Sequence, residues 1–174
     1  MHVNNGTHAW ILPPRCGTRF VGEYLRDVGL LDGPERHHVT WEDLGDRQLI
    51  LNVRNPFTRA ASMWRWNTEY HKNTPSFEEY IMRGDFPVFQ PMFTFIRGID
   101  GFARVDHIVK IENFDEDVMR IGLPKPRIVN HYHVVDDGIE DRDRYNDPKL
   151  VDRIREVFAQ DFMYFGYSAN PEDI

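Results

Sequence analysis

Two short apolar runs in the chain each predict a buried strand. The first covers residues 8–12 and the second residues 48–53, and each is followed by apolar residues at helical spacing. The first helical segment stops at Gly29, and the second begins with Pro56, which favours the first position of a helix. The pattern therefore predicts a strand–turn–helix unit that occurs twice.

The remaining pattern continues this alternation with shorter elements. It predicts a strand at residues 37–40, a helical turn at 41–44, helices at 76–83 and 89–97, a strand at 105–111, a helix ending near 121, a polar loop at 130–146 and a last helix after Asp147. Strands that alternate with helices predict an α/β fold with a mostly parallel central sheet flanked by helices. In such sheets, ligands bind beyond the carboxyl ends of the strands.

Composition and charge narrow the class of protein. With 174 residues and 41% hydrophobic content, we expect one domain over residues 1–174. The formal net charge of −7 argues against nucleic-acid binding through a broad basic face and favours a small ligand held by a few placed cations. The chain has no long apolar run and no signal-like start, and its one cysteine is Cys16. We therefore predict a cytoplasmic protein without a membrane partner.

The turn after the first strand has the features of a phosphate-binding loop. It reads Leu12-Pro13-Pro14-Arg15-Cys16-Gly17-Thr18 and leads directly into a helix. Unpaired N–H groups at a helix start attract anions, and a glycine allows the backbone to approach the ligand closely. The sequence therefore predicts an anion site to which Arg15 and Thr18 add charge and a hydroxyl donor.

A second candidate site follows the second strand. Arg54 ends the strand, and Ser62 follows eight positions later, inside the next helix. If the chain bends sharply at Asn55-Pro56, a guanidinium fork and a hydroxyl can hold one terminal phosphate. Two anion sites on neighbouring strand ends suit a mononucleotide that carries a second phosphate on its ribose.

Both turns resemble the cofactor motifs of sulfotransferases. The first is similar to their 5′-phosphosulfate loop, and the stretch from Val53-Arg54-Asn55-Pro56 through Arg59 to Ser62 is similar to their 3′-phosphate motif. Two further stretches, at 108–114 and 145–167, resemble the carbohydrate sulfotransferase branch. The resemblance implies a P-loop-like three-layer fold and transfer of a sulfuryl group from 3′-phosphoadenosine 5′-phosphosulfate (PAPS) to an acceptor hydroxyl or amine, leaving 3′,5′-adenosine diphosphate (PAP).

The resemblance also assigns residues to the cofactor. It implies that Arg54 and Ser62 hold the 3′-phosphate, and that the 5′-phosphosulfate lies on Arg15, Cys16, Gly17, Thr18, Arg19 and Phe20. Arg15 would stabilise charge on the departing phosphate oxygen, and the reaction requires no metal. The family usually has a hydroxyl residue where this chain has Arg19, which either donates to the phosphate or points to solvent. We interpret the Cys16 side chain as packing, and we expect Arg59 to brace the turn or to pair with an acid.

The resemblance further implies a general base. His38 opens the stretch His38-Val39-Thr40-Trp41-Glu42-Asp43-Leu44, which is similar to a segment of the carbohydrate branch. An imidazole of near-neutral pKa suits proton abstraction from an acceptor. The neighbouring His37 is the next choice, and Glu23 and Glu35 are weaker ones.

Other functions remain open from the sequence. A binding module that retains PAPS or PAP but does not turn over is one alternative, and a P-loop-type nucleotide kinase is another. The kinase is disfavoured because no Gly-Lys-[Ser/Thr] follows the first strand. The acceptor is predicted to be a small molecule or glycan that contacts residues 64–97. Solvated side chains are predicted for Arg142 and Arg144, and no metal site is predicted at His131 and His133.

Overall fold

The structure is a computed structural model, and it describes residues 2–4, 7–31, 45–96, 105–127 and 140–174. Within these ranges the strands are β1 (His2–Asn4), β2 (His8–Ile11), β3 (Gln48–Val53) and β4 (His107–Lys110). The α-helices are α1 (Thr18–Asp27), α2 (Pro56–Tyr70), α3 (Phe77–Arg83), α4 (Phe114–Arg120), α5 (Pro148–Val157) and α6 (Ala159–Phe165). Short 3-10 helices occur at Met92–Phe95, Ile111–Asn113, Arg142–Tyr145 and Pro171–Asp173.

The strands form one sheet in the order β1-β2-β3-β4. Strands β2, β3 and β4 are parallel, and β1 pairs with β2 in the antiparallel direction. Strand β3 lies between β2 and β4, and its residues 49–53 are all buried, which explains its nearly continuous apolar sequence. The predicted α/β class, with a parallel sheet flanked by helices, is therefore confirmed.

Contacts divide the chain into two compact units, and the first comprises Met1–Arg54 and Phe95–His133. Its core is aromatic: the rings of Trp10 and Tyr24 lie 6.4 Å apart, and the ring of Phe114 lies 5.1 Å from that of Tyr24. The Tyr24 hydroxyl donates to the Pro124 carbonyl at 2.8 Å, and burial raises the pKa of Tyr24 to about 12. These contacts fix α1 immediately after the turn that leaves β2.

The second unit comprises Asn55–Thr94 and Val134–Ile174. Helices α2, α3, α5 and α6 contribute to its core, where the Tyr145 hydroxyl donates to the Phe57 carbonyl at 2.7 Å. Arg144, which we predicted to be solvated, is only 9% exposed, and its guanidinium lies 5.0 Å from the centre of the Trp64 ring. That prediction is wrong, because the aromatic face takes the place of solvent around the cation. The prediction of one domain over residues 1–174 stays a prediction.

The predicted elements are found with two notable differences. The helix predicted at 89–97 is reduced to the 3-10 helix at Met92–Phe95, and the strand predicted at 105–111 is shortened to four residues. The edge strand β1 and the separate helix α6 were not predicted. The strand at 37–40, the turn at 41–44 and most of the loop at 130–146 lie outside the described residues. Among the described helices, none is long and apolar enough to cross a bilayer.

Candidate anion-binding site

The turn between β2 and α1 has an unusual backbone. Arg15 and Gly17 both have positive φ angles, of 68° and 79°, and the Cys16 N–H donates to the Pro13 carbonyl at 3.2 Å. A Cβ added to Gly17 would lie 2.5 Å from Cδ1 of Ile111. Gly17 therefore suits its left-handed backbone, and an added Cβ would also displace the end of the Ile111 side chain.

The start of α1 presents N–H groups that the helix itself cannot satisfy. The first helical bond at this end runs from the Val21 N–H to the Gly17 carbonyl at 2.9 Å, so the preceding amides at residues 18–20 have no acceptor four residues earlier. Gly17 provides no side-chain cap, and the first turn contains no acidic residue. The positive end of the helix dipole is therefore left for an anion.

Two side chains at the end of β3 hold the turn from one side. Asn52 Nδ2 donates to the Cys16 carbonyl at 2.5 Å, and Arg54 Nη1 donates to the Arg15 carbonyl at 3.4 Å. Asn52 lies in β3 and Arg54 follows the strand directly, and both side chains reach the same turn. The carboxyl ends of β2 and β3 are thus connected through the candidate site, as the two-turn pattern predicted.

The side chains of the turn have different exposures. Arg15 and Thr18 are half-buried and Arg19 is exposed, so all three can meet a ligand from solvent. Cys16 is fully buried and its Sγ lies 3.8 Å from the Pro14 carbonyl, which confirms the interpretation of its side chain as packing. Phe20 is also buried, with its ring 4.8 Å from that of Phe114, so that only its backbone N–H is suited to an anion.

The second motif continues into α2. The Asn55 side chain caps this helix by accepting the Phe57 N–H at 2.9 Å, and Pro56 occupies the first helical position. Asn55 therefore begins α2 within two residues of the end of β3. Ser62 lies in the second turn of α2 and is only 4% exposed.

Arg59 has a structural environment within the same unit. It is fully buried, and its Nη1 donates to the Gln90 carbonyl at 2.8 Å. Asp161, also fully buried, accepts the N–H groups of Met92 and Phe93 at 2.8 and 2.9 Å. Burial raises the pKa of Asp161, while the two N–H donors and the positive charge of Arg59 oppose that shift. Arg59 is therefore a buried structural residue that bonds the Gln90 carbonyl near the charge of Asp161, and its bracing of the turn at residues 54–56 stays a prediction.

The predicted bases cannot be placed beside this turn. His37, His38 and Glu35 lie outside the described residues, as do His131 and His133, and Glu23 is a half-buried residue of α1. The described ranges contain no cluster of three or more potential metal ligands. The assignment of the base to His38 or His37 stays a prediction.

Sequence reasoning missed Asn52. It is fully buried in β3, where its amide bonds the turn. The signal was an asparagine within the apolar run Gln48-Leu49-Ile50-Leu51-Asn52-Val53, since a polar side chain in a buried strand requires a partner.

No protein-family model, curated protein or solved structure matches the chain.

Proposed function

We propose that the chain is a PAPS-dependent sulfotransferase with a P-loop-like fold. The observation that carries the proposal is the pair of motifs at the carboxyl ends of the parallel neighbours β2 and β3. One motif supplies the open N–H groups at the start of α1, and the other supplies Arg54 and begins α2. A ligand with phosphate groups at two separate points matches this arrangement, and PAPS carries them on the two sides of its ribose.

The residues have separate roles in the proposed cofactor site. The N–H groups of Gly17, Thr18 and Arg19 donate hydrogen bonds to the 5′-phosphosulfate, and the Thr18 hydroxyl is a further donor. Arg15 supplies a charged donor at the same group. Arg54 and Ser62 receive the 3′-phosphate. The half-buried positions of Arg15 and Arg54 support these roles, because partial burial strengthens a charge-assisted hydrogen bond.

The proposed reaction is an in-line displacement at sulfur. PAPS supplies the sulfuryl group: the acceptor oxygen or nitrogen forms the new bond to sulfur as the bond to the 5′-phosphate oxygen breaks. Arg15 and the N–H groups of the turn stabilise the charge that builds on that phosphate oxygen. His38, or His37 beside it, removes the acceptor proton, a role worth about 10²–10⁴ in rate. These residues need no metal to perform these steps.

The acceptor is expected to be a small molecule or glycan. Aromatic surface in the region predicted to bind it includes Tyr70, which is 52% exposed, and Trp66, whose ring lies 5.3 Å from that of Tyr70. Such rings accommodate sugars and phenols alike. A panel of sugars and phenols is therefore the appropriate acceptor screen.

We also propose a cytoplasmic location for the enzyme.

Calorimetry with PAP tests the cofactor site directly. We expect the wild-type chain to bind PAP, and Arg54→Ala to weaken binding by about 1.5–3 kcal/mol, because a charge-assisted hydrogen bond is lost. Arg26→Ala is the matched control, since Arg26 is an exposed cation at the opposite end of α1. The absence of detectable heat at millimolar PAP would overturn the proposal.

A PAPS-binding module without turnover is the second candidate. The observation that favours it is Arg19, an exposed cation at a position where the resemblance predicts a hydroxyl. Transfer of radiolabelled sulfate from PAPS to any member of a panel of sugars, phenols and amines would eliminate this candidate. PAP binding without transfer to any acceptor would favour it.

A further inference from the structure

Asn52 is a polar side chain near the carboxyl end of the buried strand β3. It is 0% exposed, its Nδ2 donates to the Cys16 carbonyl, and its Oδ1 accepts no hydrogen bond among the described residues. A buried acceptor without a partner is unfavourable to folding, and this cost offsets part of what the Nδ2 hydrogen bond contributes to stability. What distinguishes the amide from an apolar side chain at this position is its hold on the Cys16 peptide.

We propose that Asn52 is a positioning residue that aims the Gly17 N–H at the bound anion. In a trans peptide the C=O and N–H groups point in opposite directions. Because the Cys16 carbonyl is held toward β3 by Asn52, the N–H of the same peptide, which belongs to Gly17, points away from β3. It thereby joins the open N–H groups at the start of α1.

The backbone of the turn explains why the bond from Asn52 to the Cys16 carbonyl matters. Gly17 is at φ 79°, a region in which glycine has wide conformational freedom, so the peptide before it needs an external restraint. Arg54 restrains the preceding carbonyl, but at 3.4 Å, and it has its own role in the proposed 3′-phosphate site. Asn52 is the closer of these two restraints, and the proposed site gives it no ligand contact of its own.

This inference rests on the proposed function, because the anion is taken to be the 5′-phosphosulfate of PAPS. Two roles are possible for Asn52, and they lead to different expected results for the same substitution. If the amide only stabilises the strand, Asn52→Leu weakens the binding of every ligand equally. If the amide positions the turn, the same change weakens the binding only of ligands with a 5′-phosphate, whatever stability the lost hydrogen bond takes with it.

The test compares two nucleotides by calorimetry on three chains. PAP carries the 5′-phosphate and adenosine 3′-monophosphate lacks it. For Asn52→Leu we expect PAP binding to weaken about tenfold, with the affinity for adenosine 3′-monophosphate unchanged and the urea midpoint lowered by no more than the loss of one hydrogen bond explains. Leu51→Ile is the matched control, a fully buried neighbour on the opposite face of β3, and it should leave the ratio of the two affinities unchanged.

Asn52→Asp adds a readout that a purely structural role would not move. A buried carboxyl group has a raised pKa, so it is protonated at low pH and can donate to the Cys16 carbonyl as the amide does. At higher pH it becomes a carboxylate that repels the same carbonyl. We expect PAP affinity of this variant, relative to the wild type, to increase as the pH falls.

The possible outcomes separate the inference from the proposed function. Three results for Asn52→Leu would overturn the inference: an equal loss of affinity for both nucleotides, an unchanged affinity for PAP, or failure to fold. In each case the proposed function still stands if the wild type binds PAP. If the wild type binds inorganic pyrophosphate but not PAP, the function fails, and a tenfold loss of pyrophosphate affinity in Asn52→Leu still supports the inference. If the wild type binds neither, both are overturned.

Discussion

Gly17 has two reasons to be glycine, and they can be measured separately. Its φ of 79° would cost an alanine about 1–2 kcal/mol, and the added Cβ would also lie 2.5 Å from Ile111 Cδ1. We expect Gly17→Ala to lower the free energy of unfolding, measured in urea, by about 2–3 kcal/mol. Gly29→Ala is the control for the backbone cost alone, since Gly29 has φ 70° and no atom within 4 Å of an added Cβ.

The comparison of these two variants has a clear failing result. If both lose the same stability, the Ile111 side chain moves aside at no cost, and the contact is not a reason for glycine. If Gly17→Ala retains full PAP affinity despite its destabilisation, the left-handed backbone is not needed for the anion site.

At the level of single residues, local sequence predicts some roles and misses others. Arg15, Gly17 and Thr18 are recognisable because they follow one another at a strand end, where the anion chemistry depends on neighbouring backbone groups. Asn52 acts across 36 positions in the chain, on the Cys16 carbonyl. No local spacing encodes that pairing, so the only trace of it is a polar residue in an apolar run.

Helix α6 and the Met92–Phe95 segment are joined by one carboxylate. Asp161 accepts the Met92 and Phe93 N–H groups with its two oxygens, next to the buried charge of Arg59. In Asp161→Asn one oxygen is replaced by a donor, one N–H loses its acceptor, and Arg59 loses its counter-charge. We expect the free energy of unfolding to fall by about 1–3 kcal/mol, measured by urea denaturation.

A matched variant controls for the change of charge. Asp152→Asn makes the same replacement in α5, where the side chain is 74% exposed and pairs with Arg155 at 3.3 Å. A solvated ion pair contributes little, so we expect a change within about 0.5 kcal/mol. Burial raises the pKa of Asp161, so desolvation opposes its charged form. If Asp161→Asn is as stable as the wild type, this desolvation cost outweighs the hydrogen bond and the counter-charge that the substitution removes.

The same carboxylate explains why one helix prediction failed. The apolar spacing at 89–97 suggested a helix, but the Met92 and Phe93 N–H groups donate to Asp161 instead of to carbonyls in their own segment. Helix α2, in contrast, was predicted with its correct start because Asn55 and Pro56 form a local signal. Elements with local caps were therefore predictable, and elements fixed by distant partners were not.

For the whole molecule, the alternation of strands and helices predicted the class of fold and the parallel pairing of its central strands. Parallel pairing of β2, β3 and β4 follows from helices that connect successive strands. The edge strand β1 was beyond prediction, because three residues carry too little pattern. The division into two compact units was also not predicted, since it depends on contacts between distant parts of the sequence.

The burial of Cys16 allows the opening of the turn to be followed by thiol labelling. Cys16 is the one cysteine among 174 residues, and it is a fully buried residue of the turn. A thiol reagent can react with it only when the surrounding structure opens. If the closed turn is the form that binds PAP, we expect the labelling rate, followed by absorbance, to fall by about the factor 1 + [PAP]/Kd.

Two controls complete this measurement. The chain unfolded in urea gives the rate of the fully accessible thiol, and adenosine 3′-monophosphate tests whether protection requires the 5′-phosphate. A labelling rate that saturating PAP does not change would contradict the link between closure and binding. Opening of the turn can thus be timed on the unmodified chain, without a probe introduced by mutation.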